Sequence, residues 1–299
     1  MKHSVKEWLA VTRYWSFPVS TAPVVACFAW LFSQGMVPAG AKPWICFVLA
    51  VLGVVVLHSA GNVLSDWADH RTGVDNPNAY AVPNLVFGHF QPREYLIFSI
   101  VLFVIGAVIG IVLTLISGLG LLWVGLIGVI LTALYSFLKY HALGDLDIFI
   151  IFGVLTVLGT SYVVTGAYVP QALILSVPLG IITVSVLHAN NTFDTITDRE
   201  AGIKTFGMLL GLKASAILYC AYMVIPFICI IAYVLLGWMH PLALLCLAAA
   251  VPAYKNFKQA SQYKTLGLDA MKGLDQATAK MQLVFSGLLS IGLIIAGLL

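Results

Sequence analysis

Charge is scarce in this chain. Asp, Glu, Lys and Arg make up 9% of its 299 residues, against roughly 25% in soluble globular domains. That shortage excludes an ordinary water-soluble domain. Paired cysteine spacing is missing too. The five cysteines (Cys27, Cys46, Cys220, Cys229, Cys246) all lie in apolar runs with no CxxC. They read as small core hydrophobes, which leaves no zinc site or disulfide framework to expect. The opening MKHSVKEWLAVTRYWS holds no short apolar core followed by a small-residue cleavage site, so no signal peptide is expected. No pattern for haem, flavin or nucleotide is present. The basic residues are dispersed and form no nucleic-acid face.

What the chain does have is apolar length. Hydrophobic residues make up 61% of it, and its mean hydropathy is +1.01. Runs of about 20 apolar residues recur, each long enough to cross a hydrocarbon core. They predict nine spans, near 14–33, 44–65, 95–116, 119–138, 147–167, 172–191, 213–236, 240–254 and 281–299. The eighth is short and contains Pro252. An all-α membrane bundle in a single domain over 1–299 follows. Of the 15 Lys and Arg, only Lys42 falls in the loops 34–43, 117–118, 168–171 and 237–239, and none of the 12 Asp and Glu does. Positive residues mark the cytoplasmic side, so the N-terminus and the longer loops are expected there. The orientation rule does not explain why the acids share that face. Their confinement suggests a working surface.

Two inner loops open on matched signals. After the second span comes GNVLSDWADHRTGVD, with Asn62, Asp66, Asp69, Arg71 and Asp75. After the sixth comes HANNTFDTITDREAGIKT, with Asn190, Asp194, Asp198, Arg199 and Lys204. Both carry N-x-x-x-D with a further Asp three or four residues on. Four spans separate them, so their helices run in the same direction. This suggests a parallel repeat, helices 1–4 and 5–9, of the kind that places sites at repeat interfaces. On a helix, residues four apart share a face, so each box projects its Asn and Asp together. Facing carboxylate clusters repel unless cations sit between them, and oxygen ligands suit a hard ion such as Mg²⁺. Magnesium held by a few carboxylates completes its shell with water and phosphate oxygens. Arg71, Arg199 and Lys204 fit a phosphate-bearing ligand. The competing reading, two solvated cytoplasmic loops, does not account for the matched spacing.

The two boxes resemble the aspartate-rich motifs of the UbiA superfamily of intramembrane aromatic prenyltransferases. They look most like the branch that prenylates 1,4-dihydroxy-2-naphthoate in menaquinone synthesis. The first motif of that branch is matched by Asn62, Asp66, Asp69, Gly73 and Asp75. The second is matched by Asn190, Asn191, Asp194, Asp198, Arg199 and Gly202. LYSFLKYHALGD (134–145) resembles the family's tyrosine-containing segment after the fourth helix. The chain departs from the branch at Phe193, where Arg is usual, and in 76–91, which holds no Lys or Arg.

The resemblance implies a helical bundle around a central cavity open sideways to the lipid, with the motifs on the cytoplasmic side. It implies two Mg²⁺ ions bridging the motifs through the diphosphate of a polyprenyl donor, and an aromatic acceptor. 4-Hydroxybenzoate, homogentisate and a tetrapyrrole are alternative acceptors. A cation-coupled transporter is the reading from another class, although its charges would sit near the bilayer midplane. A bacterial inner membrane is the expected setting.

By this resemblance Asp66, Asp69, Asp194 and Asp198 hold metal and diphosphate, and Asn62 and Asn190 complete the shell. Asn191, Arg71, Arg199 and Lys204 are candidate substrate contacts. Lys139 would touch diphosphate or an acceptor carboxylate, and Tyr135 or Tyr140 would steady a carbocation through its ring face. Snorkelling and an interfacial aromatic belt explain those three equally well. Arg13 stands where the family often has a substrate-facing cation. His58 and His188 precede the two boxes and read as buried, hydrogen-bonded core histidines. Asp75 orients a base or supports the metal.

Overall fold

The computed structural model describes residues 3–75 and 84–299. The stretch whose missing cation marks a departure from the branch, 76–91, lies partly outside the described residues. The described residues form helices and no named strand. A short surface helix, α1 (Val5–Val11), is closed at its start by a Ser4–Glu7 capping box. Long helices follow: α2 (Tyr14–Ser33), α3 (Lys42–Thr72), α4 (Pro92–Ser117), α5 (Leu121–Tyr140), α6 (Gly144–Thr165) and α7 (Pro170–Phe193). Then come a single-turn α8 (Thr195–Glu200), the long α9 (Phe206–Leu235), α10 over residues 241–261, and α11 (Leu274–Leu298).

Eight of these helices are long and apolar enough to span a membrane. The ninth expected span, 240–254, corresponds to α10. Its first half, Pro241–Ala249, is wound as a tighter 3₁₀ helix. Its second half, Ala250–Ser261, carries Lys255 and Lys258. The apolar part is too short to count by length and composition.

Hydropathy also misjudged where helices end. The second span was expected to stop at 65, but α3 continues to Thr72 and places Asp66 and Asp69 on the helix itself. Gly73 then terminates it with φ at +76°, a conformation that glycine adopts without penalty. Backbone hydrogen bonding carried the helix two turns past the apolar residues. α9 likewise begins at Phe206 rather than 213. It breaks at Gly211, where φ is +73° and non-helical, and again before Pro226.

α2 and α7 are the most enclosed of the spans, and α5 the least. The core runs through Val24, Cys27 and Leu31 of α2, Leu179 and Ile182 of α7, and Phe285, Leu289 and Leu293 of α11. On α4 and α5, Ile100, Val104, Val108, Leu122, Leu126 and Ile130 are exposed. In a bilayer these are lipid-facing side chains. A second, smaller cluster joins Val11, Val63, Leu85, Phe90 and Tyr95, with Trp8 and Trp67 against it. It fastens α1 and the segment from Asn84 to the end of α3. One turn of α6, Phe149–Leu155, is π-helical, the kind of local widening that recurs at functional sites.

Candidate active site

The two aspartate boxes meet in one cavity of about 190 Å³. α3 brings Asn62, Ser65 and Asp69 to it, and the residues just beyond bring Asp75. α7 and the turn into α8 bring Asn190, Asp194 and Asp198. Tyr135 and Lys139 come from α5, and Arg13 from the turn between α1 and α2. The i, i+4 reasoning holds in the second box, where Asn190 Nδ2 donates to Asp194 Oδ2 at 2.9 Å. In the first box Asn62 and Asp69 face the cavity, while Asp66 pairs with the Arg13 guanidinium. Arg13 reaches it from a left-handed backbone, φ 55°, and Thr12 O receives Asn62 Nδ2 at 3.0 Å. A non-glycine residue held with positive φ is costly, and such residues cluster at ligand-binding sites.

Asp69 is the most engaged carboxylate. Lys139 Nζ lies 3.4 Å from its Oδ2, and the Tyr140 hydroxyl donates to its Oδ1 at 2.5 Å. Tyr140 does not line the cavity; it reaches the site through Asp69. Asp198 is 2% exposed, and its Oδ2 is buried with no hydrogen-bond partner. A buried acceptor left unpaired costs stability, and this one belongs to a residue that lines the cavity.

Five carboxylates line the cavity (Asp69, Asp75, Asp194, Asp198, Asp275) against two cations, Arg13 and Lys139. Burial is the main cause that pushes Asp75 up to about 7, with Asp69 and Asp66 adding to it. Burial likewise raises Asp194 to about 6 and Asp198 to about 7, against the pull of Lys139. Asp66 holds the Arg13 guanidinium charged above its ordinary value. Burial makes proton loss costly, and a bound cation would reverse that cost.

The donor set fits a hard cation that shares its shell with a ligand. Among the described residues no three His, Cys, Asp or Glu side chains group closely enough to hold an ion by themselves. Asp69 and Asp66 are engaged by cations, while Asp198 offers a free oxygen. Such carboxylates suit magnesium completed by phosphate oxygens rather than a closed protein cage.

Other expected contacts lie elsewhere. Arg71 is exposed and stacks its guanidinium 5.0 Å over the Trp67 ring. Arg199 and Lys204 are exposed outside the cavity. The Lys204 backbone N–H donates to Tyr140 O at 3.1 Å, tying this segment to the end of α5. Asn191 is 1% exposed and does not line the cavity. His188 is fully buried, its Nδ1 2.8 Å from Asp145 Oδ2 and its Nε2 3.3 Å from Ser215 O, as a core histidine would be. His58 contacts Ser20 Oγ at 3.0 Å and also faces the cavity. Sequence reasoning missed Asp275. With the last span expected to start at 281, this residue read as loop. The only signal was an acid at the start of the last helix.

A second cavity, about 340 Å³ and almost wholly apolar, adjoins the first. His58, Thr132, Ile151 and Phe152 line both. It is built from α3, α4, α5 and α6, with Gly110, Gly125 and Gly128 in its lining. Ile111, Leu122 and Leu126 line it and are exposed on the helix surface, so the cavity is a groove reaching the lipid side. The π-helical turn supplies Ile151 and Phe152 at the junction.

Comparison with known proteins agrees with this architecture. A model of the UbiA prenyltransferase family matches residues 21–266. The mouse UbiA prenyltransferase domain-containing protein 1 is 31% identical over 302 residues, covering 99% of this chain and 86% of its own length. An apo UbiA homologue from Aeropyrum pernix K1 superposes with a TM-score of 0.66 at 19% identity, over 93% of this chain and 97% of that one. A UbiA homologue from Archaeoglobus fulgidus bound to GPP and Mg²⁺ gives 0.62 at 15% identity, over 95% and 99%. The family match spans most of the bundle and both aspartate boxes. The chain belongs to the UbiA prenyltransferase family and is an integral membrane prenyltransferase.

Proposed function

We propose that the chain transfers a polyprenyl group from its diphosphate to an aromatic acceptor with magnesium as cofactor. The observation that carries this is the junction of the two cavities. A polar, carboxylate-lined chamber opens through His58, Thr132, Ile151 and Phe152 into an apolar groove. A molecule with a diphosphate head and an isoprenoid tail has that division of chemistry. The acceptor we favour is 1,4-dihydroxy-2-naphthoate, supported by the motif resemblance. The boxes face the cytoplasm in this reading, supported by the distribution of Lys and Arg. The mouse relative is an animal protein, and a bacterial setting draws no support from it.

Asp69, Asp194 and Asp198, with Asn62 and Asn190, would hold the metal–diphosphate head. Magnesium, when bound, neutralises the leaving diphosphate as a Lewis acid. Lys139 lies against Asp69 and adds positive charge where that group departs. Arg13, paired with Asp66, lines the same chamber and offers its positive charge to an anionic substrate group. Tyr135 lines the chamber and offers a ring face to positive charge at the allylic carbon. The groove keeps water from the tail and sets the reactive carbon at the junction. The ring carbon then bonds to the allylic carbon as the C–O bond to diphosphate breaks. Aromaticity returns as the attacked carbon expels its substituent and keeps the bonding pair: CO₂ from the carboxylate-bearing carbon of the naphthoate, or a ring proton to solvent for an acceptor attacked at C–H.

The test uses purified protein in detergent with Mg²⁺, farnesyl diphosphate and 1,4-dihydroxy-2-naphthoate. Mass spectrometry should find a prenylated, decarboxylated product that EDTA abolishes. Transfer only to 4-hydroxybenzoate or another ring would move the acceptor. No magnesium-dependent transfer to any ring would overturn the reading.

A further inference from the structure

The chamber has a side that the tail groove leaves free. α2, α7 and α11 contribute nothing to the groove, which is lined by α3, α4, α5 and α6 alone. Those three helices close the chamber elsewhere. The start of α2 and the turn before it supply Arg13, Trp15, Ser16 and Val19; α7 supplies Thr183, Val186 and Leu187; α11 supplies Asp275. A donor with its head on the aspartate boxes and its tail in the groove leaves this side for the second substrate.

Asp275 is the single carboxylate on that side outside the two boxes. It sits in the first turn of a 25-residue helix, where the helix dipole favours negative charge. Unlike Asp69 and Asp66, it has no Lys or Arg partner among the described ion pairs. An oxygen of this kind on the wall of a chamber accepts a hydrogen bond from an O–H group. Arg13 lines the same side and offers the opposite recognition, an anion.

We infer that Asp275 receives a ring hydroxyl of the aromatic acceptor and orients that ring for attack; the inference rests on the prenyl-transfer reading above. A ring carrying both hydroxyl and carboxylate is then fixed in one orientation, hydroxyl toward Asp275 and carboxylate toward Arg13. An acceptor lacking the hydroxyl meets a bare carboxylate and is rejected. Sites built to hydrogen-bond a substrate hydroxyl discriminate strongly in this way.

The test is steady-state kinetics on Asp275→Ala and Asp275→Glu, with 1,4-dihydroxy-2-naphthoate and its mono-O-methyl ethers as acceptors. Hydrogen bonds to charged groups are strong enough that losing one raises the acceptor KM by about ten- to a hundred-fold. Asp275→Ala should show that rise with the KM for farnesyl diphosphate and the Mg²⁺ requirement unchanged. It should also discriminate less between the hydroxyl and methyl-ether acceptors, and Asp275→Glu should recover part of the preference. A shift in Mg²⁺ requirement or donor KM instead would make Asp275 a ligand of the head group and overturn the inference. So would an unchanged acceptor KM in a variant that melts like the wild type. Each of those leaves the enzyme reading standing. A wild type that transfers prenyl to no ring takes down both.

Discussion

Lys139 Nζ lies 3.4 Å from Asp69 Oδ2, joining residues 70 positions apart in the chain. The lysine is 9% exposed and the aspartate 5%. A pair this enclosed ties the end of α5 to the end of α3 and also brings a cation to the chamber. Breaking a buried pair from one side leaves the other charge uncompensated.

Lys139→Ala should therefore lose stability by about 3 kcal/mol, the usual cost of orphaning a buried charge. It should also slow prenyl transfer, because the chamber loses the one lysine among the described residues that lines it. Lys139→Arg should keep most of the stability. Thermal unfolding in detergent checks the first effect, and product formation by mass spectrometry the second. A Lys139→Ala variant as stable and as active as the wild type would place Lys139 among ordinary snorkelling residues.

The raised carboxyls give opposite pH trends for folding and for metal binding. Asp194 at about 6 and Asp198 at about 7 stand above their ordinary value of 3.8 because burial disfavours the charged form. The folded protein then holds more protons than the unfolded chain between those values. Without metal, the contribution of these two groups to stability is full below about pH 4 and falls as pH rises through 6–7. Magnesium needs the deprotonated forms, so protons compete with it at low pH. The Mg²⁺ concentration giving half-maximal activity should rise as pH falls from 7.5 to 5.5. Thermal stabilisation by Mg²⁺ with a diphosphate ligand should be larger at pH 8 than at pH 5.5. Titrating both across that range checks the sign, and a flat profile would contradict it.

The groove makes a prediction about donors. A Cβ placed on Gly110, Gly125 or Gly128 meets nothing within 4 Å, so larger side chains there enter open space without straining the helix. Gly128→Phe should obstruct the tail's path near Thr132 while leaving the chamber intact. Turnover with dimethylallyl diphosphate should stay within a few-fold of the wild type, and turnover with geranylgeranyl diphosphate should fall at least ten-fold. Equal loss with both donors would mean the tail runs elsewhere.

Much of this site was legible in the sequence because its residues lie on helices with simple periodicity. Asn190 and Asp194, four apart, pair as the spacing requires. Asp69 and Asp194 share a chamber as the matched boxes suggested. Helix ends were less legible. Hydropathy reports where apolar side chains stop, and α3 runs on to Thr72 through its backbone hydrogen bonds. Partners distant in sequence were not legible at all. No local pattern links Arg13 to Asp66, or Tyr140 to Asp69. Asp275 escaped notice because a lone acid at a span's edge resembles any loop acid until the last helix is seen to begin at Leu274. The cations Arg199 and Lys204 were over-read, since charge near a motif carries no direction.

The central claim is that the two boxes, carried on α3 and α7, hold one diphosphate together. The direct measurement is magnesium-dependent diphosphate release from farnesyl diphosphate in the presence of acceptor. It is made on the wild type, Asp69→Asn, Asp194→Asn and the double variant. Residues acting as a unit show non-additive losses. Each single variant should lose roughly a hundred-fold or more, a loss typical of removing a transition-state contact, and the double should be little worse than either. Losses that multiply in the double variant, or a single variant that keeps wild-type turnover, would contradict a shared site.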